Sequence, residues 1–218
     1  MDGATILLGV FGLLGYLIGS VNFAVLIARR HGVDILKAGS GNPGATNVKR
    51  VLGKGPGNTV FALDALKGAV GAGLPLCLVR FVDVQVADQA GVLFHFCVAG
   101  FIGTLAGHCF SCFLGFKGGK GVASTIGGLL VLLPVPILIG AAIWGLVFTL
   151  SRYVSLASLA LGVSLPLSCW LLPLCTTLKF SLAEFWFAAA IATFNVWTHR
   201  SNIGRLLRGE ENRFARKA

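Results

Sequence analysis

The residues best equipped for chemistry lie in a glycine-rich stretch, Gly107 to Gly121. There Lys117 and Lys120 sit among Gly118, Gly119 and Gly121, directly before the apolar run Val122-Ala123-Ser124-Thr125-Ile126. Phosphate binding is the chemistry this pattern suits. Glycine lets backbone amides close around an anion, the N-terminus of the following helix adds about half a positive charge, and the lysines add full ones. A second polar stretch, Lys37 to Arg50, is too rich in Gly, Pro and Asn to begin a helix. Its Ser40, Thr46 and backbone amides are expected donors, Asn42 and Asn47 can donate or accept, and Arg50 can grip a phosphate through two parallel bonds. No Gly-Lys-Ser or Gly-Lys-Thr completes a nucleotide-hydrolase loop. The third stretch, Thr198 to Glu211, mixes His199 and Asn202 with Arg200, Arg205 and Arg208. Alone it reads as a short amphipathic helix on anionic lipid, with Ile203, Leu206 and Leu207 toward the acyl chains. That reading leaves His199, Asn202 and Glu211 unexplained.

The elements that must position these stretches are membrane helices. Only 12% of the 218 residues are charged and 56% are hydrophobic, whereas a soluble domain carries about 25% charged residues. The net charge of +10 does not indicate nucleic acid, because the basic residues fall between apolar runs rather than on one soluble face. Seven spans are expected: 6–28, 57–81, 90–106, 122–133, 136–150, 154–172 and 183–196, of which the fourth and fifth are short. With the N-terminus outside, this count places Arg29 to Lys54, Lys117, Lys120, Arg152 and Arg200 to Lys217 inside. Arg80 and Lys179 fall outside, and Lys67 lies within a span. The positive-inside rule favours that orientation. The expected fold is therefore an all-α integral membrane protein, a seven-helix transmembrane bundle forming one domain over residues 1–218. Its C-terminus is cytoplasmic and its three polar cytoplasmic loops converge on one site.

Within the spans, Gly12, Gly15, Gly19 and Ser20 offer a small-residue flank for close helix packing. Asp64 and Lys67 lie three residues apart on one helix face, where they can neutralise one another or serve a site. Cys109 and Cys112 beside His108 make half a zinc site at best, so no metal is expected. A transporter for a phosphorylated solute is the competing class, and a nonenzymatic scaffold is a third. Polar residues gathered on one face, with no inverted repeat of the loops, weigh against transport.

Taken together, the three stretches resemble the bacterial acyl-phosphate:glycerol-3-phosphate acyltransferases, the PlsY family, over nearly the whole chain. The matching motifs are Gly39-Ser40-Gly41-Asn42 through Gly44-Ala45-Thr46-Asn47 and Arg50, then Gly107-His108 and Phe116-Lys117-Gly118-Gly119-Lys120-Gly121-Val122-Ala123. The third set is His199-Arg200, Asn202-Ile203, Arg205-Leu206, Gly209 and Glu211. The chain departs from the family pattern at Ser111 and Asn22, where proline is usual, and at Ser124, where threonine is usual. These departures bear on loop rigidity and helix bend rather than on charge.

The resemblance implies transfer of a fatty acyl group from acyl phosphate to the 1-hydroxyl of glycerol 3-phosphate, yielding lysophosphatidate and phosphate in phospholipid biosynthesis. Acyl phosphate is an activated mixed anhydride, so no acyl-enzyme and no Gly-x-Ser-x-Gly elbow is needed. On this reading Ser40, Gly41, Asn42 and Thr46 hold the acyl-phosphate head. Lys117 offsets charge on the departing phosphate, and Gly118, Gly119 and Gly121 shape the loop. Arg50, Lys120, Arg205 and Glu211, with His199 and Asn202, serve glycerol 3-phosphate. The general base is His199 or a phosphate oxygen of the donor. No cofactor is implied. Membrane lipids are expected around the protein, with handover from the enzyme that makes acyl phosphate, and the site faces the cytoplasm of the bacterial inner membrane.

Overall fold

A computed structural model describes residues 3–78 and 91–214, and all regular elements among them are helical. Among the described residues, five stretches are long and apolar enough to cross a membrane: Gly3–Arg30, Lys54–Leu78, Val92–Cys109, Pro134–Ser151 and Val154–Cys175. The expected ends at Phe81 and Ala90, and the outside charge Arg80, lie outside the described residues. The helices fall into two compact units, Met1–Leu132 and Leu133–Ala218.

The first unit begins with α1 (Gly3–Ser20) and α2 (Phe23–Arg30), where the sequence suggests one unbroken span. The interruption falls at Asn22. Its side chain accepts the Val25 amide at 3.0 Å and so caps α2. α3 (Ala45–Leu52) and α4 (Lys54–Leu78) meet at Gly53, whose φ of +91 requires glycine. α5 (Val92–Cys109) leads through a single 3₁₀ turn, Cys112–Leu114, to α6 (Val122–Leu132).

α5 packs along α1, and α4 packs between α5 and α6. The expected small-residue flank makes these contacts. A Cβ at Gly15 would strike the Gly100 carbonyl, and one at Gly19 the Thr104 carbonyl. In lipid, where no hydrophobic drive brings helices together, such close approach supplies the dispersion contact. Ala24, Val25, Ala28, Ile35, Val48 and Val60 form a buried apolar cluster below the first polar loop, and Leu114 of the central loop packs on it.

The second unit holds α7 (Pro134–Ser151), α8 (Val154–Cys175), α9 (Leu182–Thr198) and α10 (Arg200–Leu207). The prolines open α7 rather than precede it, because Pro134 tolerates the N1 position, so α7 is longer than its sequence pattern suggests. α6, with 11 residues, covers about 17 Å at 1.5 Å per residue, short of the roughly 30 Å hydrocarbon core. α8 lies between α7 and α9. Ser181 and Glu184 form a capping box that starts α9. Asn195 of α9 donates to the Ser158 carbonyl of α8 at 2.6 Å and rests on Gly162, where a side chain would collide with it.

Candidate active site

The first polar loop folds around Asn47. This buried side chain accepts the Ser40 amide at 2.9 Å and donates to the carbonyls of Ala38 at 2.9 Å and Ile35 at 3.3 Å. The Gly41 amide bonds to the Ala38 carbonyl and the Gly44 amide to the Asn42 carbonyl. The amides expected to cradle an anion are thus committed inside the loop at Ser40, Gly41 and Gly44. The loop's side-chain donors are exposed Ser40, half-buried Asn42, half-buried Thr46 in the first turn of α3 and half-buried Arg50 in its last turn.

The central loop shows the same economy. The Gly119 amide donates to the His108 carbonyl at 3.1 Å. A Cβ at Gly118 would strike that carbonyl, and one at Gly119 would strike the His108 ring at Nε2. Glycine is required at both positions because the turn lies flat on His108. Gly121, at φ +81, turns the chain into α6, where the Thr125 amide takes its carbonyl at 2.7 Å. Lys117 is exposed and Lys120 half-buried on either side of the double glycine, at the positive end of α6.

Both loops hang from the α1–α2 break. Asn22 Nδ2 reaches the Pro43 carbonyl of the first loop at 3.5 Å, and Ser111 Oγ of the central loop donates to the Ser20 carbonyl at 2.6 Å. Lys67 donates to the neighbouring carbonyls of Gly19 at 3.0 Å and Val21 at 2.7 Å. The carbonyls freed at the end of α1 therefore receive side-chain donors from α4 and the central loop. The expected Asp64–Lys67 pair is present at 2.9 Å, buried within the unit. His108 Nδ1 stands 3.6 Å from Asp64 Oδ1 and 3.5 Å from Ser124 Oγ. All three departures from the family pattern, Asn22, Ser111 and Ser124, thus touch this region.

In the second unit the third loop gathers His199, Asn202, Arg205 and Glu211. His199 is buried, and its Nδ1 lies 2.9 Å from the Asn195 carbonyl. A carbonyl only accepts, so Nδ1 carries the hydrogen, and in the neutral ring Nε2 keeps its lone pair. The Glu211 carboxylate receives Asn202 Nδ2 at 2.7 Å, Arg205 Nε at 2.7 Å and Ser155 Oγ at 3.0 Å. Burial alone would raise the Glu211 pKa. The bonds from Asn202, Arg205 and Ser155 and the Arg205 charge outweigh it and hold the carboxyl below 4.5. Glu211 consequently organises Asn202 and Arg205 through protein contacts.

Sequence reasoning missed Asn195 and Ser155, and it read Asn47 and His108 without their structural roles. The capping preference of Asn before an apolar run could have located the α2 start. Nothing local signals Ser155, which meets Glu211 across 56 residues.

Residues 9–209 match the sequence model of the family described as glycerol-3-phosphate acyltransferase. Among proteins named glycerol-3-phosphate acyltransferase, the Desulforamulus reducens one is 40% identical, covering 93% of this chain and 92% of its own. That of Halalkalibacterium halodurans is 42% identical, covering 93% of each chain. The crystal structure of PlsY (YgiH), an integral membrane glycerol 3-phosphate acyltransferase, is 37% identical in its glycerol 3-phosphate form. It has a TM-score of 0.77 over 98% of this chain and 96% of that one. Its lysophosphatidic acid form gives a TM-score of 0.76 over the same shares. With the helices long enough to span a bilayer and the loop motifs in place, this chain belongs to the glycerol-3-phosphate acyltransferase family of integral membrane enzymes.

Proposed function

We propose that the chain transfers a fatty acyl group from acyl phosphate to the 1-hydroxyl of glycerol 3-phosphate, releasing 1-acyl-glycerol 3-phosphate and inorganic phosphate. The observation that carries this reading is the double-glycine turn. It is seated on His108 with Lys117 and Lys120 on either side and the N-terminus of α6 beyond. Such a turn suits a phosphate that gains charge as it leaves. The relatives and the similar solved structures are likewise glycerol-3-phosphate acyltransferases by name.

In the reaction the 1-hydroxyl oxygen bonds to the acyl carbon, and the bond from that carbon to the bridging phosphate oxygen breaks. Lys117 stabilises the departing phosphate electrostatically, with the side chains of Ser40, Asn42 and Thr46 holding the donor head and Gly41, its amide already bonded to Ala38, shaping the loop that carries them. Arg50, Lys120 and Arg205 take the phosphate of glycerol 3-phosphate, and Asn202 orients its glycerol. Glu211, its carboxylate already bonded by protein donors, sets Asn202 and Arg205 in place. The hydroxyl proton has two acceptors in this chemistry, His199 Nε2 and a phosphate oxygen of the donor. The donor is already activated, so no protein nucleophile is required. In the same reading α1–α2, α4 and the five helices from α5 to α9 are seven spans, with the N-terminus outside and the loops on the cytoplasmic face of the inner membrane. The 11-residue α6 completes its crossing through local thinning of the bilayer.

The test is direct. The purified chain in detergent receives labelled glycerol 3-phosphate with either palmitoyl phosphate or palmitoyl-CoA, and lysophosphatidate and released phosphate are measured. Product from palmitoyl phosphate alone is expected. Product from palmitoyl-CoA would overturn the donor assignment, and none from either would overturn the reaction.

A further inference from the structure

The buried groups beneath the loops have no part in the chemistry just described. Asp64 is 1% exposed, Lys67 4% and His108 4%. Buried charges in a membrane helix are costly unless they are paired or used. Pairing accounts for Asp64 with Lys67 at 2.9 Å. It does not account for where the remaining bonds go.

Lys67 reaches backward from α4 to the Gly19 and Val21 carbonyls and places its ammonium 5.6 Å from the Phe23 ring centroid. Its bonds therefore fix the α1 side of the α1–α2 break, and its contact with the Phe23 ring reaches the first residue of α2. From that break Asn22 holds Pro43 of the first loop and Ser20 holds Ser111 of the central loop. Asp64 in turn faces His108 Nδ1 at 3.6 Å, with Ser124 at 3.5 Å on the same nitrogen. The other edge of that ring is the surface on which Gly119 lies, and the His108 carbonyl takes the Gly119 amide at 3.1 Å. One face of the cluster thus sets the helix break and the other sets the double-glycine turn. Lys117 and Lys120 are carried by that turn.

We infer that Asp64, Lys67 and His108 are positioning residues for the reaction, with His108 as the seat that presents Lys117 and Lys120 to substrate phosphate. The inference rests on the acyl-phosphate reading above for what the two lysines do. It goes beyond that reading by assigning the buried cluster a role in turnover rather than in folding alone.

A double-mutant cycle on His108 and Gly119 tests it, in the full chain in detergent. kcat and KM for palmitoyl phosphate and glycerol 3-phosphate are measured per folded molecule, the folded fraction being read by size exclusion and thermal melting. His108→Ala and Gly119→Ala are each expected to lower turnover by about tenfold or more, since a displacement near 1 Å has large catalytic cost. The pair should be strongly non-additive, because trimming the ring makes room for the added methyl. The double variant should then resemble His108→Ala alone.

A purely structural cluster would lower the melting midpoint and yield while leaving kcat and KM per folded molecule unchanged. That result, or effects that multiply, overturns the inference. If His108→Ala does not fold, Ser124→Ala and Gly119→Ala carry the test. Both must lower turnover, and a wild-type rate from Gly119→Ala rejects the seat. Failure of the underlying reading looks different, since the wild-type chain itself would then make no product from palmitoyl phosphate.

Discussion

The polar centres of the two units are held by opposite means. In the first unit the loops carrying Ser40, Asn42, Lys117 and Lys120 are fixed mainly through backbone groups. Asn47, Lys67 and Ser111 bond to carbonyls and amides, and glycines allow the chain to lie flat. Of the side chains offered for chemistry, Ser40 and Lys117 are exposed and Asn42 and Lys120 half-buried. In the second unit the working side chains are themselves the structure. His199, Asn202 and Glu211 are buried; Glu211 accepts from Asn202, Arg205 and Ser155 of α8, and His199 donates to the Asn195 carbonyl of α9. A backbone-held site can lose one working side chain without losing its shape. A site built from its own side chains cannot.

The largest effect should expose this difference. Lys117→Met removes an exposed charge from a loop whose seat is untouched, so kcat should fall about a hundredfold, close to 3 kcal/mol of transition-state stabilisation. The melting midpoint should stay at the wild-type value. His199→Ala should lower both activity and stability, because Nδ1 is bonded to Asn195. His199→Gln sharpens the result. Retention of much of the rate assigns the hydroxyl proton to a donor phosphate oxygen, whereas collapse of kcat in both variants with KM unchanged assigns it to His199. A wild-type rate for Lys117→Met would break the comparison at its root.

How legible each centre was follows from the same distinction. Five of the expected spans, the Asp64–Lys67 pair and the lysines among glycines were readable because each is a local pattern of hydropathy, helical spacing or composition. The reason for the glycines was not. Sequence suggests amides turned toward an anion, but the Gly119 amide bonds His108 and the Ser40 amide bonds Asn47. The α1–α2 break was hidden for a similar reason. Its supports, Lys67 and Ser111, are 46 to 91 residues away in sequence from the carbonyls they bond, and no local signal encodes such partners.

Glu211 gives the intermediate effect. Glu211→Gln replaces a carboxylate that accepts from Asn202, Arg205 and Ser155. kcat/KM for glycerol 3-phosphate should fall about tenfold, the equivalent of one charge-assisted bond at roughly 1.5 kcal/mol. The pH dependence has a definite sign. A carboxyl whose pKa is held below 4.5 in the folded protein contributes stability in full above about that pH. The contribution disappears as pH falls through the lower, folded value. Thermal melting of the wild type should therefore weaken on acidification below about pH 4.5, and the Gln variant should lack that component. Identical acid profiles would show that the carboxylate does not hold the second centre.

The smallest effect tests whether the first centre is as over-determined as its geometry indicates. Asn22 caps α2 and reaches Pro43, yet the break it occupies is also held by Lys67 on two carbonyls and by Ser111 on a third. Asn22→Ala should cost about 1 kcal/mol, the usual loss of an N-cap. Asn22→Pro loses the same cap but narrows the unfolded chain, an offset of about 0.4 to 1 kcal/mol where the backbone accepts proline. Asn22 sits at φ −99, so proline must shift it somewhat toward its ring-fixed value. Melting should therefore rank wild type and Asn22→Pro close together and Asn22→Ala below them, with KM for both substrates unchanged in all three. If Asn22→Pro instead raised KM sharply, the break would depend on its cap rather than on Lys67 and Ser111. The first centre would then be held, like the second, by single side chains that cannot be exchanged.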